Sequence, residues 1–139
     1  MCRSMFCAIP CFWRVWDEKA RDKMLLFLPV VGLETGAIWA LLAWLCRYLA
    51  LPALVQGAVL GAYPFVVTGF IHLDGFMDVT DAVRSCRDLA RRREILKDSR
   101  VGSFAVIGVV LLALCQTALF ASAKTAAGLW TLVLLPAVS

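Results

Sequence analysis

Asp74, Asp78 and Asp81 follow directly on an uncharged run of 26 residues, Tyr48 to Leu73, and stand four and three residues apart. On a helix of 3.6 residues per turn this spacing puts the three carboxylates within about 60° of one another. Like charges so placed repel unless a cation lies between them. A hard divalent ion is the economical answer, because Mg²⁺ takes oxygen ligands and is commonly held by one or two carboxylates together with substrate phosphates. Ser85 and Asp88 continue the stripe if the helix runs on. His72 stands about 160° from Asp74 on a straight helix and joins the cluster only if the helix breaks. Gly75 is placed to supply that break. A single aspartate here would read as a charge marking the end of a membrane span. Three on one face, with no basic residue among them, point to a metal or phosphate site.

Cations come next. Arg84, Arg87, Arg91, Arg92 and Arg93 precede Lys97-Asp98-Ser99-Arg100-Val101-Gly102. Guanidinium and ammonium groups at this place suit a phosphate-bearing substrate, with Arg84 and Lys97 as candidate phosphate ligands and Asp98 as a candidate fourth carboxylate. The bias of basic residues toward the cytoplasmic side of a membrane explains most of the same count, and the two readings coexist. Carboxylates beside arginines at the mouth of a helical bundle suggest metal-assisted phosphoryl transfer, a reaction class governed by positioning and charge neutralisation.

The elements holding these residues belong to a membrane protein. Of 139 residues 62% are hydrophobic and only 17% charged, whereas a soluble domain carries about a quarter charged residues. A second uncharged run covers Val101 to Ala123, and Met24 to Cys46 is apolar except for Glu34. Each is long enough for the roughly 20 residues that cross a hydrocarbon core, and lipid forces such spans to be helical. A fourth run begins at Thr125. The expectation is an all-α integral membrane bundle of about three full transmembrane helices plus a partial fourth, forming one domain over 1–139. The segment 72–100 is its Asp/Arg-rich catalytic part.

Lys and Arg set the orientation. Five lie before the first span and seven between His72 and Arg100, so an even number of spans between them puts both groups on the cytoplasmic side. Met1 to Lys23 lacks a signal-like apolar stretch and reads as an interfacial segment with Trp13 and Trp16 at headgroup depth. Pro29, Gly32 and Gly36 allow a kink or close packing in the first span, and Gly57-x-x-x-Gly61 is a small-residue packing pattern in the second. Glu34, the one charge inside a span, reads as a protonated group facing the bundle interior. The six cysteines form no paired metal-binding motif and read as free thiols.

Two blocks carry a family resemblance. His72-Leu73-Asp74-Gly75-x-x-Asp78-x-x-Asp81 is followed by Glu94-Ile95-Leu96-Lys97-Asp98-Ser99-Arg100-Val101-Gly102-Ser103-Phe104. Together with Thr68-Gly69 and Phe27-Leu28-Pro29-x-x-Gly32, they closely resemble the cobalamin synthases (adenosylcobinamide-GDP ribazoletransferases). The resemblance implies a multi-pass enzyme of the bacterial cytoplasmic membrane that requires Mg²⁺. It implies that adenosylcobinamide-GDP is joined to α-ribazole or its 5′-phosphate with release of GMP, and that no nucleic acid is a partner. By the same resemblance Asp74, Asp78 and Asp81 hold metal and pyrophosphate, and His72, Asp98 and Arg100 are candidate catalytic residues. The family usually has glycine after the third aspartate, where this chain has Ala82. Family members are longer, with further spans, so a 139-residue form is expected to fold poorly, or only as a homo-oligomer, and to show little activity alone.

The CDP-alcohol phosphotransferases are the rival enzyme class, but Asp74-Gly75-Phe76-Met77 lacks the Ala-Arg that their pattern places soon after Asp-Gly. Mg²⁺-dependent membrane prenyltransferases match only Asp74 and Asp78, with no second aspartate-rich motif. A membrane scaffold whose charged loop docks a soluble partner is the non-enzymatic alternative.

Overall fold

The computed structural model describes residues 24–85, 88–96, 100–123 and 128–138, and their regular structure is entirely helical. A 3-10 turn, Met24–Phe27, leads into α1 (Leu28–Tyr48). Then follow α2 (Ala53–Val67), α3 (Ile71–Arg84), α4 (Leu89–Ile95), α5 (Ser103–Ser122) and α6 (Leu129–Val138). The interfacial reading of Met1 to Lys23 falls outside the described residues.

α1 and α5 are each long and apolar enough to cross a membrane. Pro29 sits in the first turn of α1, where its missing N–H is no loss. The second span differs from expectation. Rather than one helix continuing through the aspartates, α2 and α3 form a pair bent by 91°. Among the described residues two helices are long and apolar enough to cross a membrane, or three with the bent pair counted as one, and the ten-residue α6 is a shorter apolar helix.

Local chemistry explains where the bend falls. Gly69 and Phe70 both adopt left-handed backbone, at φ 61° and 64°. Phe70 N–H donates to the Phe65 carbonyl (2.8 Å) and Gly69 N–H to Val66 (3.1 Å), the paired bonds of a glycine-terminated helix end. The Thr68 hydroxyl donates to the Pro64 carbonyl at 2.8 Å. The chain therefore breaks at 68–70, and Gly75, with open space where a side chain would go, lies within α3.

The helices pair through small residues. A Cβ on Gly32 or Gly36 would strike the backbone carbonyls of Pro136 and Val133 in α6, so these glycines let α6 lie directly against α1. Gly57 does the same for α2 against the Thr117 carbonyl of α5, whereas Gly61 has room for a methyl group, with its nearest neighbour at 3.5 Å.

Trp39 is the centre of the packing. Buried on α1, it stacks on Tyr63 of α2 (centroids 5.6 Å, 20°) and leans on Phe120 of α5 (5.4 Å, 56°), with Leu129 and Leu132 of α6 beside it. Its indole N–H donates to the Leu60 carbonyl at 3.1 Å. That acceptor is the one an α-helix would pair with the N–H of residue 64, which proline lacks. The outward side chains Ile107, Val110, Leu111 and Leu114 of α5 are exposed, as a lipid-facing surface requires.

Candidate functional site

α3 is helical throughout, so Asp74, Asp78 and Asp81 do share one face. Their surroundings differ. Asp74 and Asp78 are exposed, while Asp81 is half-buried against α5. Both oxygens of Asp81 accept backbone hydrogen bonds from the start of that helix: Oδ2 from Gly102 N–H at 2.7 Å and Oδ1 from Ala105 N–H at 2.8 Å.

These are the two donors that a capping box satisfies within one helix. Gly102, at the N-cap of α5, has no side chain to cap with, and residue 105 is alanine, so the helix supplies neither half of the box itself. A carboxylate from α3 serves both. A Cβ on Gly102 would lie 2.5 Å from each Asp81 oxygen, which explains the glycine in physical terms. One turn further on, Thr80 and the Phe76 ring approach Gly108, and α3 and α5 run in contact.

The contact creates an open cleft of about 390 Å³ where α3, α4 and the entry to α5 meet, lined by Asp81, Ser85, Arg100, Gly102, Ser103 and Phe104 among others. Arg100 is thus brought beside the last turn of the aspartate helix. Ala82 is buried, and its small side chain fits where the resembled family has glycine.

Other expected residues fall elsewhere. The aspartate stripe stops at Ser85, whose hydroxyl donates to the Ala82 carbonyl at 2.8 Å. Asp88 does not continue it. Its backbone is extended, and it caps α4 by accepting from Arg91 N–H at 3.3 Å. Arg91 in turn pairs with Glu94 on the exposed surface. Arg84 is exposed in the last turn of α3, where a cation also suits the helix dipole. His72 is exposed in the first turn, on the side away from Asp74 and Asp78, and no break brings it round. Lys97 and Asp98 lie outside the described residues. Glu34 is half-buried on α1, and Cys46 and Cys115 are free thiols.

Among the described residues no three His, Cys, Asp or Glu side chains converge as a metal site. What remains on the α3 face is a pair of exposed carboxylates, Asp74 and Asp78, one helical turn apart. The sequence reading missed the α3–α5 cap. Its signal was a helix start at Gly102-Ser103 with no acceptor of its own.

The cobalamin-5-phosphate synthase family model matches residues 1–139. A curated adenosylcobinamide-GDP ribazoletransferase of Clostridium perfringens (strain ATCC 13124) is 44% identical over 118 residues, 85% of this chain and 47% of that protein. Proteins of the same name from Clostridium botulinum (strain Eklund 17B) and Thermosynechococcus vestitus are 42% and 41% identical over 116 and 107 residues, covering 84% and 76% of this chain and 46% and 44% of theirs. The chain spans about half the length of the curated relatives it matches. No solved structure matches it.

Proposed function

The chain belongs to the cobalamin-5-phosphate synthase family, and we propose that it carries the metal- and phosphate-handling part of an adenosylcobinamide-GDP ribazoletransferase. The substrates are adenosylcobinamide-GDP and α-ribazole or its 5′-phosphate. A ribazole hydroxyl oxygen bonds to the phosphorus next to cobinamide and gives up its proton to solvent, the pyrophosphate P–O bond breaks, and GMP leaves with the oxygen of that bond.

The observation that carries this reading is the junction of two elements. The last turns of the aspartate helix α3 and the entry to α5 are fastened together through Asp81, and Asp81, Ser85 and Arg100 line one cleft there, with Asp78 and Asp74 about one and two turns back along α3. Two exposed carboxylates one turn apart suit Mg²⁺, which is commonly held beside phosphates by one or two carboxylates, with water and substrate oxygens completing its six. When bound, the ion neutralises charge on the pyrophosphate. Asp74 and Asp78 would hold it. Arg100, lining the cleft with Asp81 and Ser85, would offer a guanidinium to phosphate oxygens. Arg84 and Lys97 are further cations for the nucleotide phosphates, while His72 and Asp98 keep a proposed part in catalysis.

The proposed setting is the bacterial cytoplasmic membrane, with α3 and α4 on the cytoplasmic side and lipid around α1 and α5. The 139-residue form alone is expected to release little GMP; joined to the second half of the Clostridium perfringens relative and embedded in membrane, it is expected to release GMP only when Mg²⁺, adenosylcobinamide-GDP and α-ribazole are all present. Absence of GMP from the joined chain, or product from a CDP-alcohol pair instead, overturns the assignment. For orientation, Glu94→Cys in a cysteine-free background, exposed on α4, is expected to resist an impermeant thiol reagent applied outside intact cells. Ready labelling overturns the topology.

A further inference from the structure

We propose that Asp81 is a positioning residue and not a metal ligand: from α3 it closes the N-terminus of α5 and thereby holds Arg100, two residues before the Gly102 cap, beside the last turn of the aspartate helix. The inference rests on the phosphoryl-transfer reading above and divides the three aspartates into two that meet the ion and one that fixes where Arg100 stands relative to α3.

Three observations carry it. First, each Asp81 oxygen is already an acceptor, at 2.7 and 2.8 Å, for a backbone N–H of another helix. Second, Gly102 has no side chain, and the carboxylate occupies the space that a Cβ would take, 2.5 Å from both oxygens. Third, the place is the start of a 20-residue helix. The unpaired N–H groups of a helix N-terminus carry a partial positive charge that favours an anion and disfavours a cation. Asp81 is the anion there. A divalent ion on its free lone pairs would face that positive end, whereas Asp78 and Asp74 are exposed about one and two turns away along α3. Asp81 therefore acts through Gly102 and Ala105 on the loop that presents Arg100.

Four readouts on the detergent-solubilised protein test this. Melting temperatures of Gly102→Ala, Asp81→Ala and the double variant form a cycle. The glycine substitution is expected to be harmful with Asp81 present and mild once the carboxylate is gone, and additive losses would overturn the contact. Mn²⁺ binding, followed by electron paramagnetic resonance, is expected to survive Asp81→Asn within about twofold and to weaken at least about tenfold in Asp78→Asn. Equal weakening in both makes Asp81 a ligand and ends the proposal. In the GMP-release assay Asp81→Asn is expected to raise KM for adenosylcobinamide-GDP about tenfold, with no further rise in an Arg100→Ala background. A change confined to the amount of active protein would mean that Asp81 only supports folding. Finally, Gly102→Ser in the Asp81→Ala background gives α5 a cap of its own. It is expected to restore the melting temperature and leave KM raised; restoration of both overturns the tether. If the parent protein releases no GMP, the functional reading fails, while the melting cycle and Mn²⁺ titration still decide the role of Asp81.

Discussion

Trp39→Phe removes one hydrogen-bond donor from the centre of the helix packing, and its cost follows from the Leu60 carbonyl. That oxygen has lost its helical partner to Pro64 and takes the Trp39 indole N–H at 3.1 Å instead. Phenylalanine keeps an aromatic ring for Tyr63 and Phe120 but leaves the carbonyl unsatisfied in an apolar interior. An orphaned buried acceptor costs about 1–3 kcal/mol. The smaller ring adds roughly 1 kcal/mol of lost packing, so the substitution should cost about 2–4 kcal/mol. The distinguishing control is Pro64→Ala, which returns a backbone N–H to residue 64. In that background the Leu60 carbonyl has its helical partner again, and Trp39→Phe should cost about 1 kcal/mol less, within the range of coupling energies in membrane helices. Helicity at 222 nm through denaturant unfolding in mixed micelles measures all four corners of the cycle. Strict additivity would refute the argument, because it would mean that tryptophan and proline do not share that carbonyl.

Other substitutions test the site and the fold. In the chain joined to the second half of a curated relative, Asp78→Asn should lower Mg²⁺-dependent GMP release roughly a thousandfold, while Asp88→Asn, which keeps a capping side chain on α4, should change it less than about twofold; similar small effects at both would reduce the carboxylates to helix-end charge. Ala50 closes α1 in left-handed backbone at φ 48°, so Ala50→Gly should stabilise by about 0.5–1 kcal/mol in thermal denaturation, and a loss would contradict that geometry. Gly57→Ala should destabilise by about 1–3 kcal/mol by pushing α5 off α2. Gly61→Ala, with ordinary contact space, should be neutral within about 0.5 kcal/mol on the same measurement.

Much was decided by the order of residues alone. Uncharged runs of this length must be helical in lipid, because the backbone has no other partner there. Steps of four and three among the aspartates place Asp74 and Asp78 on one face whatever the helix packs against. Gly69 is a helix stop written into the chain, although its weight against a continuous 26-residue apolar run was legible only afterwards. Tertiary structure decided the rest. Nothing local to Asp81 shows that its oxygens are taken by residues 21 and 24 positions away, nor that Asp88 leaves the stripe to cap another helix. Likewise α6 lies on α1 across nearly the whole described chain, through glycines whose partner is a bare backbone. Residue types and spacing determine which groups are able to act. Which donor meets which acceptor depends on the distance between helices, and that is set by packing between segments far apart in sequence.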